Sequence, residues 1–287
     1  MKKALSLICF LWIFSGCHFE DRVPIDMVSI NQTQPLGDEK SLDSTIHFDI
    51  GSLEITNESD PAALYSMELL YDRASYEPEI DYDSPISGEE GRFRFSLDST
   101  HKVGIRRERH NNRLRLAFNE SLPLTMRVTT GVGDARLSLS RLKLQRLQFA
   151  SGVGGAKISA YEPNAIECER IQLENGVGSI EAVGLGNLNF RELEFEGGVG
   201  GANLDFTGEW KQDAEMRITI GVGGVNLRLP RELGVKVEAE KNFLSGLHLE
   251  GFNQRGSAHY SENYDTAAVT VSIRVTTGIG GFKITWI

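Results

Sequence analysis

The stretch TTGVGDARLSLSRLKLQRLQFASGVGGAKISA, residues 129–160, contains two copies of one pattern: a glycine turn between runs of alternating apolar and polar residues. Such alternation marks half-buried strands, because successive side chains of a strand point to opposite faces. The glycine motif recurs as GVGDA at 131, GVGGA at 152, GVGSI at 176, GVGGA at 198, GVGGV at 221 and GIGGF at 278. The spacings are 21, 24, 22 and 23 residues, and then 57. A strand–turn–strand unit of about 22 residues is one coil of a solenoid. The last gap has room for two units and an insertion, and SGLHLEGF around Gly246 reads as a degenerate member.

Stacking supplies the reason for glycine. In a coil of strands each corner lies over the corner below, so a side chain there would collide with its neighbour, and a residue without a Cβ turns most sharply. The structural turn positions are Gly131, Gly133, Gly152, Gly154, Gly176, Gly178, Gly198, Gly200, Gly221, Gly223, Gly278 and Gly280. The residues between them, Val132, Val153, Val177, Val199, Val222 and Ile279, are expected to point inward as an apolar column. One coil cannot bury its own apolar face, so several must stack and the ends need caps; Trp286 and the atypical region 46–100 are assigned that role. The expected fold is all-β, a right-handed parallel β-helix or solenoid with glycine corners, against a β-sandwich of consecutive hairpins as the alternative.

The chain begins with Lys2 and Lys3, then the apolar run Ala4–Phe14, then Ser15, Gly16 and Cys17, the three-part layout of a secretory signal. The apolar run falls well short of the roughly 20 residues that span a bilayer as a helix. FSGC at 14–17 resembles the bacterial lipobox, with Phe14 in place of the usual Leu. That resemblance implies cleavage after residue 16, lipid attachment at Cys17, and tethering to a membrane outside the cytoplasm. His18 differs from the Asp that retains many lipoproteins at an inner membrane, which favours the outer membrane in an organism with two. Residues 17–45 have no sustained period and include Pro24, Pro35 and Gly37, the composition of a tether. Alternation is steady from Ile46, so 46–120 reads as an N-terminal capping part and 121–287 as the glycine-repeat solenoid. PAALYSMELLYD at 61–72 fits a strand better than a helical turn.

The chemistry-bearing motifs are sparse. A formal charge of −10 over 287 residues argues against a nucleic-acid partner, since neutralising phosphates takes a cationic excess. Every glycine turn leads into a strand, whereas a phosphate loop leads into a helix N-terminus. The H-E-x-x-H, C-x-x-C and G-x-S-x-G patterns are absent, the histidines are scattered, and Asp134 and Asp205 read as solvated strand-edge acids. No catalytic residue, metal or cofactor is therefore expected. Cys168, in AIECERIQL, reads as a small buried strand residue. Tyr71, Tyr76 and Tyr82 stand among acids, a mixture that fits a solvated acidic strand pair or a sugar grip. Residues 18–100 carry net −14 and residues 101–146 net +8. Arg106, Arg107, Arg109, Arg113 and Arg115 can pair with the acidic strands or meet an anionic envelope polymer.

The segment LPLTMRVTTGVGDARLSLSRLKLQRLQFASGVGGAKI at 122–158, with SGLHLEGF at 245–252 and NYDTAAVTVSIRVTTGIGGFKI at 263–284, resembles the toast-rack β-helical domain of LiaF-like cell-wall-active antibiotic response proteins and related adhesin-like proteins. The resemblance covers about residues 46–287 and implies a fold rather than an activity. LiaF-like proteins carry transmembrane helices and regulate envelope-stress signalling; here a lipobox stands in place of the helices. The expected function is a non-enzymatic, membrane-tethered interaction or scaffold module of the envelope, possible partners being an envelope protein or a polysaccharide. An adhesin-like glycan binder and a carbohydrate-active enzyme are the alternatives. An enzyme would place acids together on one coil face, where the repeats show Lys157, Glu181, Asn203, Asn226 and Lys283.

Overall fold

The computed structural model describes residues 25–84, 89–100, 112–240 and 246–287. The signal segment, Cys17 and the arginines 106, 107 and 109 lie outside the described residues. Seven long strands form the centre of one sheet: β2 (Ser41–Glu58), β7 (Pro123–Ser138), β8 (Lys143–Ser159), β9 (Cys168–Val183), β10 (Phe190–Asp205), β11 (Ala214–Leu229) and β16 (Thr270–Trp286). Each runs parallel to the next in that order, with the glycine motifs in register. Among the described residues the fold is all-β apart from one 3-10 turn, Leu185–Leu188.

Each long strand bends at its glycine motif into two limbs, and one apolar cluster takes side chains from both, as Leu147 and Phe149 from one limb of β8 and Ile158 from the other. The glycine requirement is steric. A Cβ on Gly131 would lie 2.2 Å from the carbonyl oxygen of Asp49. Gly133 has φ +143°, and its Cβ would lie 1.8 Å from the carbonyl oxygen of Gly51. The same contact repeats at each corner up to Gly280.

Gly51 also exposes a rung that its sequence hides. Ile50 and Gly51 pair with Val132 and Gly133, so β2, expected within the capping part, is the first coil of the stack. Asp49 there replaces the first glycine of the motif.

The outer side of the corners departs from expectation. Val132, Val153, Val177, Val199, Val222 and Ile279 do form one column, but they are 44% to 67% exposed and point outward. The positive-φ glycine breaks the two-residue alternation: in β11 the buried positions run to Ile220 and resume at Val225, an odd interval that leaves Val222 on the convex side. The inward column at the corner is instead Thr130, Ser151, Asn175, Gly197, Ile220 and Thr277.

At one end the stack splays into antiparallel strands. β1 (Met27–Pro35) pairs with β3 (Ala63–Asp72), β3 with β6 (Arg113–Asn119), and β4 (Tyr76–Asp83) with β5 (Glu90–Ser99); β5 and β6 lie beside the two limbs of β2. Residues 27–35, expected as tether, are therefore part of the sheet. Their inward face begins with Val28 and Ile30 and then turns polar at Gln32, whose amide donates to the Tyr65 hydroxyl at 3.1 Å. At the other end chain order and stack order part. β12 (Gly234–Ala239) and β13 (Gly246–Leu249) flank the two limbs of β16, and the hairpin of β14 (Phe252–Arg255) and β15 (Ala258–Ser261) continues the edge. Gly246 pairs with Gly281, the degenerate unit expected there, but β16 is inserted between it and β11. The cap is thus made by β12, β13, β14 and β15, and Trp286 packs against Phe252, ring centroids 5.2 Å apart.

Asparagines staple the third side of the coil. Asn164 donates to the carbonyls of Leu144 and Leu188, and Asn187 donates to Ala160 O and accepts from Glu209 N. These bonds satisfy buried backbone groups of the loops and strand ends.

Two outcomes follow. Gly154→Ala places a Cβ 1.8 Å from Gly133 O at φ +146°, so it is expected to cost about 3 kcal/mol or more. Gly201→Ala meets only Gly224 O at 3.5 Å and is expected to cost under about 1 kcal/mol; thermal or urea unfolding compares them. Cys168 is fully buried, and burial pushes its thiol up to about 12. At pH 8 it should resist iodoacetamide in the native protein and react only after denaturation, as read by peptide-mapped mass spectrometry.

Candidate functional site

The outward column at the corners is the most regular surface feature of the stack. Its six β-branched rungs, at the roughly 4.8 Å spacing of neighbouring strands, make a ridge about 24 Å long from first to last. On one side lie the positions after the second glycine, Asp134, Gly155, Ser179, Gly201, Gly224 and Gly281, all but one of them uncharged and small. The ridge therefore stands clear of its surroundings, with an apolar crest and a shallow floor beside it. A strand needs no apolar residue on its solvent side, so this crest is surplus to the fold's own packing.

Beyond the floor runs the column that the sequence brings forward. Lys157, Glu181, Asn203, Asn226 and Lys283 are consecutive partners across β8, β9, β10, β11 and β16. Lys157 Nζ lies 3.4 Å from Glu181, both largely exposed, and Glu181 is the one acid of the five. Two carboxylates flanking a glycosidic bond, as sugar hydrolysis requires, are not assembled on this column.

The charged limbs carry cross-strand ion pairs: Arg127 with Asp43 at 2.5 Å, Arg146 with Glu169 at 2.6 Å, and Arg170 with Glu192. Arg115 pairs with Glu54 at 3.2 Å and Glu68 at 3.4 Å, the internal pairing anticipated for that arginine. Exposed pairs of this kind add little stability. The apolar crest is free of such charges and is the distinctive surface of the corners.

Several sequence readings change in three dimensions. Tyr71 and Tyr76 are buried in the N-terminal core, and the Tyr82 hydroxyl donates to Glu39, so these rings do not form a sugar grip. Burial and that bond to Glu39 together raise the Tyr82 phenol far above its ordinary range. Asp205, expected to be solvated, is buried: it accepts from Thr207 N and Oγ1 and pairs with Arg228 at 2.7 Å. Asp134 is at the surface, accepting from Gly155 N at 3.1 Å.

The sequence did not indicate a cavity of about 390 Å³ under the C-terminal cap. Arg231, Glu250, Glu262, Lys283 and Trp286 line it. The Trp286 indole donates from Nε1 to Glu250 O at 2.8 Å. Arg231 comes from the turn after β11, Glu250 and Glu262 from the cap, and Lys283 from β16, so the inserted strand creates the cavity. Among the described residues none of these four charged side chains is in an ion pair.

The family model described as the N-terminal domain of toast_rack, DUF2154, matches residues 23–183 and 170–228. No curated protein matches the chain. A solved "putative cell adhesion protein" from Clostridium sporogenes is 19% identical, with TM-score 0.49, over 91% of this chain and 100% of that one. A "putative adhesin" from Bacteroides fragilis is 12% identical, with TM-score 0.39, over 91% and 97%. A "putative lipid binding protein" from Parabacteroides distasonis is 8% identical, with TM-score 0.23, over 91% and 97%. With the matched segments covering more than half of its length, and with its parallel glycine-cornered stack, the chain belongs to the toast-rack family.

Proposed function

We propose that the protein is a non-enzymatic module of the bacterial envelope, lipid-anchored through Cys17, that presents the outer ridge of its stack to a protein partner as part of an envelope-stress response. The observation that carries this reading is the ridge: at six successive corners an exposed position holds Val or Ile rather than a polar residue. An aligned, exposed apolar crest is a surface suited to docking. The anchor rests on the lipobox resemblance at 14–17; each buried CH₂ of an acyl chain contributes about 0.8 kcal/mol, so two or three chains hold a protein stably on a membrane. The coils wind right-handed in this reading, the sense that crossovers between parallel strands take.

Cells expressing the full chain test both parts. Cys17→Ala is expected to abolish incorporation of an alkyne-palmitate label and release the protein from the membrane pellet. Val153→Thr, Val177→Thr and Val199→Thr combined should leave melting temperature and labelling unchanged, because those side chains are outside the core, while removing the envelope protein recovered by crosslinking. An unchanged set of crosslinked partners would reject the ridge as the interface.

The cap cavity favours a second reading, binding of a surface glycan or wall polymer. An indole beside unpaired charged groups offers both an apolar ring face and hydrogen bonds to hydroxyls. Arg231→Ala with Lys283→Ala should then lose retention on immobilised wall polymer at unchanged melting temperature. Equal retention of variant and wild type would reject it.

A further inference from the structure

Three donor side chains converge near the start of the stack, away from the ridge and the cap cavity. His47 and Asp49 flank the buried Phe48 on β2, so strand alternation sends both to the same outer face. β5 lies parallel beside that limb with Leu97 opposite Phe48, which brings Asp98 alongside them. His47 Nε2 is 3.0 Å from Asp49 Oδ1 and 3.7 Å from Asp98 Oδ1, and one donor atom from each residue lies within 4.8 Å of the other two.

One imidazole nitrogen offers a single proton or a single lone pair, so it cannot satisfy two carboxylates equally. A cation among the three donors can. The neighbouring acids solve their charge differently: Asp43 meets Arg127, Asp81 and Asp83 meet Arg94, and Glu54 meets Arg115. Among the described residues neither Asp49 nor Asp98 has a lysine or arginine partner. The donors are partly open to solvent, which leaves room for water to complete a coordination sphere.

We propose that His47, Asp49 and Asp98 form a binding site for one divalent first-row transition cation, with zinc as the representative ion. Imidazole with two carboxylates is a zinc-type donor set, whereas calcium and magnesium favour all-oxygen shells. The sequence alone gave no such expectation, because it lacks a helical histidine pair; here the ligands are two residues apart on one strand and complete on its neighbour. Bound there, the ion ties the first coil of the stack to β5 and stabilises the native state by mass action.

Calorimetric titration of the full chain with ZnCl₂, with CaCl₂ and MgCl₂ in parallel, tests the site, and melting temperature is followed with and without each ion. Wild type should bind one zinc with a rise in melting temperature that calcium and magnesium do not give. His47→Ala and Asp98→Asn should each weaken zinc binding at least about tenfold and remove the rise, while His248→Ala should retain both. Failure of wild type to bind zinc, an unchanged isotherm in His47→Ala and Asp98→Asn, or loss of binding in His248→Ala would overturn the proposal. If His47→Ala does not fold, the near-isosteric Asp98→Asn decides.

Discussion

A carbonyl oxygen on each corner occupies the place where the next corner's Cβ would be. From Gly51 to Gly280 this contact excludes every side chain at the second glycine, and it can be made only if corners stack directly over one another. Vertical registration then passes to the limbs. Leu over Ile and Phe over Leu inside, and acid over base outside, follow from the same alignment. The backbone thus enforces at the corner what hydrophobic burial rewards along the limbs, and local and global preferences agree.

A stack of parallel strands has two open edges, and the protein treats them differently. At the β2 end each limb receives its own strand, and these continue into antiparallel pairs, so the edge is divided into two separate extensions of the sheet. At the β16 end the short strands β12 and β13 and one hairpin cover the limbs. Both arrangements shorten the exposed edge, which limits unwanted pairing. The apolar ridge crosses these devices at right angles, running along the stack where no edge protection reaches.

How much was legible follows from what the signals encode. The glycine period records corner spacing, and it located six corners and the degenerate one at Gly246. It missed the corner at Gly51, where Asp49 stands in place of the motif's first glycine. Alternation identified the limbs correctly but failed across the corner, because a positive-φ residue resets the phase; hence Val132 and its partners were assigned to the wrong side. β1 was hidden by its polar inward residues Gln32 and Gln34. Asn164 and Asn187 lie 23 residues apart, one coil length, but they sit in loops outside the alternating runs and the glycine motif, so neither signal marked them. The cap cavity and the His47 cluster were unreadable for a topological reason: they join residues whose proximity depends on β16 entering between β11 and β12, or on β5 lying beside β2.

The insertion of β16 has a kinetic consequence. Strands β2 and β7 to β11 can add in chain order, each docking on its predecessor, but β12 and β13 have no place until a strand more than 20 residues further along has docked on β11. Until then the β11 edge is complementary to the β16 segment of any copy. Closure within one chain therefore competes with strand exchange between chains, and dilution or surface tethering at low density favours the closed monomer.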